Sequence, residues 1–473
     1  MVEAQTRQNT FWLWSDVVNF TRRGDFDFWS PEYVKNDKLM SQYSPFREVV
    51  EDITNGVELR KYSDTGELYL RVGNIKEFFT DLDDIKLVPL TREAVKVREK
   101  VVLSEQDILM SRSGSLGIIT VVTPDIKNSI ISSHIMRLRV KKEISPYYIT
   151  TFLNSSFGKN QILRRRNGSP VPEINHQSLE EIRFFIPSKT ILQKVEQIVK
   201  EAFQLKTEAE SEYQQAVDVF LKNIKTHISE WDDLTNETQK AFWLWSDQVD
   251  ITNRIDPDYY SGEGIRNKLG KIKPLADLAE IKIGKTPAFD DYLPSGDRRI
   301  MKFRAITGRG IDWENEERGF VKEEFFQKNK KNKLEKNDIV LGSAAHQAHY
   351  IGKYLDIVYE LPKEFTDGIL TVAEVMTIRT SEMLNPFVLL LFLRSGVGYE
   401  LIQRQIKGQT SHLYPKDVEN IGIPEAVIKI SKSKIGTEVE GKIQSSLVKA
   451  RLSKQKLQEA KDFVENLVKT NEK

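Results

Sequence analysis

Few residues in this chain are spaced for chemistry, and each such group falls short. Gly284-Lys285-Thr286 matches the end of a phosphate-binding loop. That loop opens with a glycine, and Ala279 stands where the glycine belongs, so the anion cradle is not specified. His346 and His349 lie one helical turn apart, but no carboxylate sits at ligand spacing beside them. Ser113-Gly114-Ser115-Leu116-Gly117 has the wrong spacing for a nucleophile elbow. The Asn/Asp-Pro-Pro-aromatic loop that holds a flipped base for methylation is absent. The chain has 0 cysteines, which removes thiolate nucleophiles, thiolate zinc sites and disulfides. The expectation is a turn at Gly284, no metal site and no catalytic residue. The chain should act by binding.

Composition bounds what it could bind. With 473 residues, two or more domains are expected. Hydrophobic residues are 39% and charged residues 29%, a globular mixture. The longest apolar run, Phe387 to Leu393, is too short to span a bilayer. The opening MVEAQTRQNT lacks a signal-peptide pattern, so a cytoplasmic protein is expected. The net charge of +1 gives no general basic field for nucleic acid. A nucleic-acid binder with this charge must concentrate its basic residues locally or share phosphate contacts with a partner.

The sequence repeats. FWLWSD starts at Phe11 and again at Phe242, 231 residues later. At the same spacing Arg23, Asp25, Asp27 and Ser30 match Arg254, Asp256, Asp258 and Ser261, and Leu103, Asp107 and Ile108 match Leu334, Asp338 and Ile339. After a small insertion the spacing becomes 240: Met136 and Arg139 match Met376 and Arg379, Phe152-Leu153-Asn154-Ser155 matches Phe392-Leu393-Arg394-Ser395, and Gly168 matches Gly408. So long a period signals a duplicated domain and not a solenoid.

Each copy has a mixed part and a helical part. In the first copy, strands are predicted over Leu68–Ile75, Asp107–Met110, Ile118–Val122, His134–Val140 (as a half-buried strand) and Glu181–Ile186. A short helix is predicted over Tyr147–Leu153. Apolar residues then recur at Ile191, Val195, Ile198, Ala202, Leu205, Ala209, Tyr213, Ala216, Phe220 and Ile224. The second copy has Ile435, Val439, Ile443, Ser446, Ala450, Ser453, Leu457, Ala460, Val464 and Leu467. These steps of three and four are coiled-coil seams. Each seam is narrow and both copies carry one, so the helices are expected to pair with each other. Gly436 and Gly441 weaken the start of the second helix.

This organisation resembles the specificity subunit of Type I restriction–modification enzymes. The strings that carry the resemblance are Leu70-Arg71-Val72-Gly73-Asn74-Ile75, Asp107 to Gly117, Phe152 to Gly158, and Gly168 to Asn175 running on to Pro187. The Arg-x-Asp-x-Asp segments at Arg23 and Arg254 add to it. The match covers essentially the whole chain, although the second copy departs at Gly342 to His346 and at Gly408 to Leu413. The resemblance implies an α+β fold of two tandem mixed α/β target-recognition domains, each followed by a long α-helix. The two helices would pair as an antiparallel coiled coil with pseudo-two-fold symmetry. The expected divisions are 1–187 and 231–424 for the recognition domains, and 188–230 and 425–473 for the helical spacers.

It also implies that the chain reads a bipartite, asymmetric double-stranded DNA target. Two methyltransferase (modification) subunits would methylate adenine, and restriction/translocase subunits would join them, in phage defence. S-adenosylmethionine, ATP and Mg would sit on those partners, with no cofactor in this chain. By residue type, the candidate DNA contacts of the first copy are Arg71, Asn74, Arg112, Ser113, Ser115, His134 and Ser169, with Arg164, Arg165 and Arg166 for phosphates. Those of the second are Lys302, Arg304, His346, Gln347, His349, Gln409 and Ser411. Trp12, Trp14, Trp243 and Trp245 read as packing residues. Two alternatives stay open: DNA recognition in another methyltransferase-based defence system, and a coiled-coil scaffold that binds no DNA.

Overall fold

A computed structural model describes residues 26–89, 99–167, 171–235, 260, 265, 268–314, 319–365, 367–407 and 411–470. The two FWLWSD copies, the segments at Arg23 and Arg254, the four tryptophans named above, Ser169 and Gln409 lie outside the described residues. The chain divides into two compact units, one of residues 1–204 with 452–473 and one of residues 205–451.

The first unit is built on a four-stranded antiparallel sheet, in the order Val50–Asn55, Ile135–Val140, Ile108–Ser111, Ile119–Val121. Alternate side chains leave opposite faces. Ile108, Met110, Met136 and Leu138 enter a core formed with the helices Pro146–Asn154 and Ser156–Arg164. Leu109 and Ile135 enter a second core with Tyr69, Leu70, Ile130 and Ile131. That second core backs onto a three-stranded sheet in which Glu67–Leu70 runs parallel to Ile130–Ile131. The strand at Ile135 is therefore covered on both faces, not half-buried as its alternation suggested. Arg137 supplies the polar step of that alternation, but it is inside too. Only 5% of its side chain is exposed, and it is tied to Asp52 at 2.7 Å.

The second unit repeats this plan. Its central sheet runs Ala279–Ile283, Val375–Thr380, Ile339–Gly342, Leu355–Ile357, all antiparallel. Ile339, Leu341, Met376 and Ile378 face the helices Pro386–Arg394 and Gly396–Gln403, while Val340 and Val375 face the second sheet. There Arg299–Met301 runs parallel to Ile369–Thr371.

Among the described residues, several of those shared by the two copies are scaffold. Asp107 takes the Arg139 guanidinium on both oxygens, at 2.8 and 3.1 Å, and Asp338 takes Arg379 at 2.8 and 2.8 Å. Ser155 and Ser395 cap the second helix of each pair by accepting from the Gly158 and Gly398 amides. A Cβ on Gly158 would meet the Phe152 carbonyl at 2.3 Å, and one on Gly398 the Phe392 carbonyl at 2.1 Å, so both turns need glycine. Gly284 is also structural. A Cβ there would lie 2.2 Å from the Thr371 carbonyl, as one on Gly56 would from Ser132.

Two long helices complete the units, Lys189–His227 and Lys434–Thr470. In the first unit the opening part of the first helix packs on the closing part of the second. Val195, Ile198 and Ala202 share a core with Leu457, Ala460 and Val464, and Ser453 Oγ donates to the Ala202 carbonyl at 2.7 Å. In the second unit Ala216, Phe220 and Ile224 share a core with Val439 and Ile443, and Ser446 Oγ donates to the Ala209 carbonyl at 2.7 Å. One heptad forward on one helix is one heptad back on the other, so the pair is antiparallel. Small residues at these crossings let the backbones approach. The second helix runs through Gly436 and Gly441. A Cβ on Gly436 would meet the Ser431 carbonyl at 2.6 Å, where the preceding helix Glu425–Ser431 ends.

Candidate nucleic-acid interface

In each unit, the loops that differ between the copies meet at one end of the central sheet. In the first unit, Ser111 closes a Gly/Ser turn. Its hydroxyl donates to the Ser115 carbonyl at 2.5 Å and accepts from the Ile118 amide at 2.8 Å. Gly114 and Gly117 supply positive φ, +74° and +77°, at the bend. The turn lies between two other segments. The Arg112 amide donates to the His134 carbonyl at 2.9 Å, and the Ile174 amide donates to the Arg112 carbonyl at 2.9 Å. Arg112, Ser113, His134 and Glu173 thereby converge. The Arg112 guanidinium reaches Glu173 and the Ser133 carbonyl, both at 3.2 Å. Its Nε is buried with no partner among the described residues. Ser113 Oγ lies 2.5 Å from His134 Nδ1. Ser115 is exposed on the turn.

The other first-copy candidates sit elsewhere. Arg71 is ion-paired with Asp84 at 2.8 Å, and its neighbour Asn74 is buried. Asn74 accepts from the Arg71 amide at 3.0 Å and donates to the Asp81 carbonyl at 2.9 Å, which fixes a turn. The arginine run is also engaged within the protein. Arg164 is buried, stacks over the Phe28 ring at 4.3 Å and pairs with Asp37 at 2.7 Å. Arg165 pairs with Asp37 at 2.8 Å, and Arg166 pairs with Asp27.

In the second unit the same backbone bonds recur with different side chains. The Ser343 amide donates to the Glu374 carbonyl at 2.9 Å, and the Leu413 amide donates to the Ser343 carbonyl at 2.8 Å. Ala344 bridges to His412 as Ser113 does to Glu173. Ser343, Ala344, Glu374 and His412 thus stand where Arg112, Ser113, His134 and Glu173 stand. Ser411 is buried, and its carbonyl accepts from the Ala345 amide at 3.4 Å. His346, Gln347 and His349 are exposed on the connecting loop, with His349 against Tyr350 at 4.1 Å between ring centroids. Lys302 lies over the Tyr292 ring at 5.3 Å, and Arg304 is exposed.

Reasoning from residue types did not single out Glu173, Glu374, Tyr350 or His412. The signal that could have found Glu374 was positional. At the 240-residue spacing it replaces His134, beside the matched pair Met136 and Met376.

No family model matches the sequence, and no curated protein matches it. Solved structures do align with it. Among these structural neighbours are Type I restriction–modification S subunits. The S subunit from M. genitalium is 15% identical, aligns over 90% of this chain and 94% of its own, and has a TM-score of 0.40. The HsdS subunit from Thermoanaerobacter tengcongensis is 13% identical over 88% of this chain and 95% of its own, with a TM-score of 0.27. A chain from a study of complex assembly and conformational transition of the Type I system is 14% identical over 89% of this chain and 97% of its own, with a TM-score of 0.29.

Among the described residues, no helix is long and apolar enough to cross a membrane, and no group of three or more histidines and carboxylates could hold a metal ion.

Proposed function

We propose that this chain is the DNA-recognition subunit of a Type I restriction–modification complex. It would read two unequal half-sites and direct adenine methylation or cleavage by its partners. One observation carries the reading: the two units share their scaffold residues and differ in the loops gathered at the same end of each central sheet. A duplicated scaffold with diverged loops suits two different ligand sites of one chemical class. Arginine, serine, histidine and carboxylate side chains at those loops are the types that read base edges. The paired helices would serve the methyltransferase subunits as a platform. The chain itself would carry no chemistry, and S-adenosylmethionine, ATP and Mg would belong to the partners.

The decisive experiment sequences modified bases in the genome of a host with and without this gene. The expected result is an adenine-methylated motif in two parts that disappears with the gene. An unchanged methylome, together with no methyltransferase co-purifying with the chain, would leave the coiled-coil scaffold as the better reading.

A further inference from the structure

The residues that differ together at the ends of the two sheets carry opposite hydrogen-bonding chemistry. In the first unit Ser113 is 2% exposed, and His134 Nδ1 is the one partner of its hydroxyl among the described residues. A buried hydroxyl with no other acceptor gives its proton to that nitrogen. The imidazole proton then sits on Nε2. His134 is exposed, and its Nε2 has no partner among the described residues, so the ring is left with a donor to offer.

Position 374 is its counterpart, because the amide–carbonyl bond that holds it, 2.9 Å long, is the same in both units. Glu374 is exposed and offers acceptors only. Thr286 Oγ1 steadies its carboxylate at 3.3 Å. Ala344 replaces Ser113, so the hydroxyl that ties His134 in the first unit has no counterpart at position 344.

We infer that His134 and Glu374 are equivalent specificity-determining residues of opposite polarity. His134 Nε2–H takes a base-edge acceptor, the O6 or N7 of guanine. Glu374 takes a base-edge donor, the N4 amino group of cytosine. The inference rests on the DNA-reading role proposed above. Ser113 is a positioning residue that sets the His134 tautomer, and the Arg112–Glu173 pair holds the turn beneath it.

The test uses the full chain co-expressed with the methyltransferase subunits of its host, with the methylated motif read by sequencing. His134→Gln should shift the preference at one position of one half-site toward adenine, and leave the other half-site unchanged. Ser113→Ala should loosen discrimination about fivefold at that same position, because the ring can then take either tautomer; a merely structural role would not act on one base. Glu374→Gln should change one position in the other half-site. Motifs unchanged in all three variants would overturn the inference, as would a uniform loss of methylation from assembled complexes. A wild-type complex that methylates no motif would instead sink the DNA-reading role itself.

Discussion

At the residue scale, the same side-chain types serve quite different ends. Arg139 and Arg379 brace the central sheets through Asp107 and Asp338, while Arg112 braces a loop through Glu173. Replacing Arg112 with alanine removes that brace and leaves the backbone bonds of the turn in place. Specific binding of DNA by the assembled complex should fall about tenfold, on the order of 1 kcal/mol, with assembly intact by gel filtration. A cognate-site gel shift equal to wild type would exclude the residue. The Arg164–Arg166 run shows what sequence could not convey. Three adjacent arginines announce charge, but their partners Asp27 and Asp37 lie far away along the chain. The Asp107–Arg139 pair is half legible: both residues recur in the second copy, but nothing in the repeat says that they touch.

The long helices were the most legible elements, since a seam is a local pattern. Val195, Ala202, Ala209, Ala216, Val439, Ile443, Ser453, Leu457 and Val464 are all buried as the seam predicts. At its end the pattern drifts, and Val468 is buried in place of Leu467, as expected where a straight helix outruns a strict heptad. The seam is intolerant of bulk. Ala202→Leu should cost about 2 kcal/mol through overpacking where the helices approach, visible as a lower melting temperature.

Acid should loosen the same region. Burial pushes the Glu77 carboxyl up, but hydrogen bonds and charge from Lys159 and Lys461 outweigh it and hold the carboxyl below its ordinary 4.5. A depressed carboxylate stabilises the fold above that value, and the contribution is lost as pH falls through the lower folded value. Glu77→Gln should therefore lower stability at neutral pH by about 1 kcal/mol, and flatten the acid limb of a melting-temperature profile. A mutant and wild type with parallel profiles would contradict this. The strands were harder to read than the helices. Each is short, and the inner strands of the central sheets are covered on both faces, so alternation hides that they are buried.

At the scale of the whole molecule, a net charge of +1 leaves the chain poorly equipped to hold DNA alone. Bound alone, it should show weak affinity with a shallow salt dependence, because it neutralises few phosphates. With methyltransferase subunits the affinity should rise by orders of magnitude in a titration at fixed salt. On the proposed reading, helix length would set the gap between the half-sites. Deleting residues 203–209 with 446–452 removes one heptad from each helix and keeps the antiparallel seam in register. The loss is about 10 Å of helix, or about three base pairs. The methylated motif should then have a different number of unread bases between its halves, and an unchanged gap would refute the idea.

The makeup of the first unit has a consequence for synthesis. Its core is completed by Leu457, Ala460, Val464 and Val468, which follow residue 204 by roughly 250 residues of chain. A ribosome adding about 5–20 residues per second needs roughly ten to fifty seconds to bridge that interval. During that time Val195, Val199 and Ala202 have no helix to cover them, while the second unit, contiguous in the chain, can close at once. The domain translated first is thus the last to finish, and its waiting apolar face is where a chaperone would bind the nascent protein.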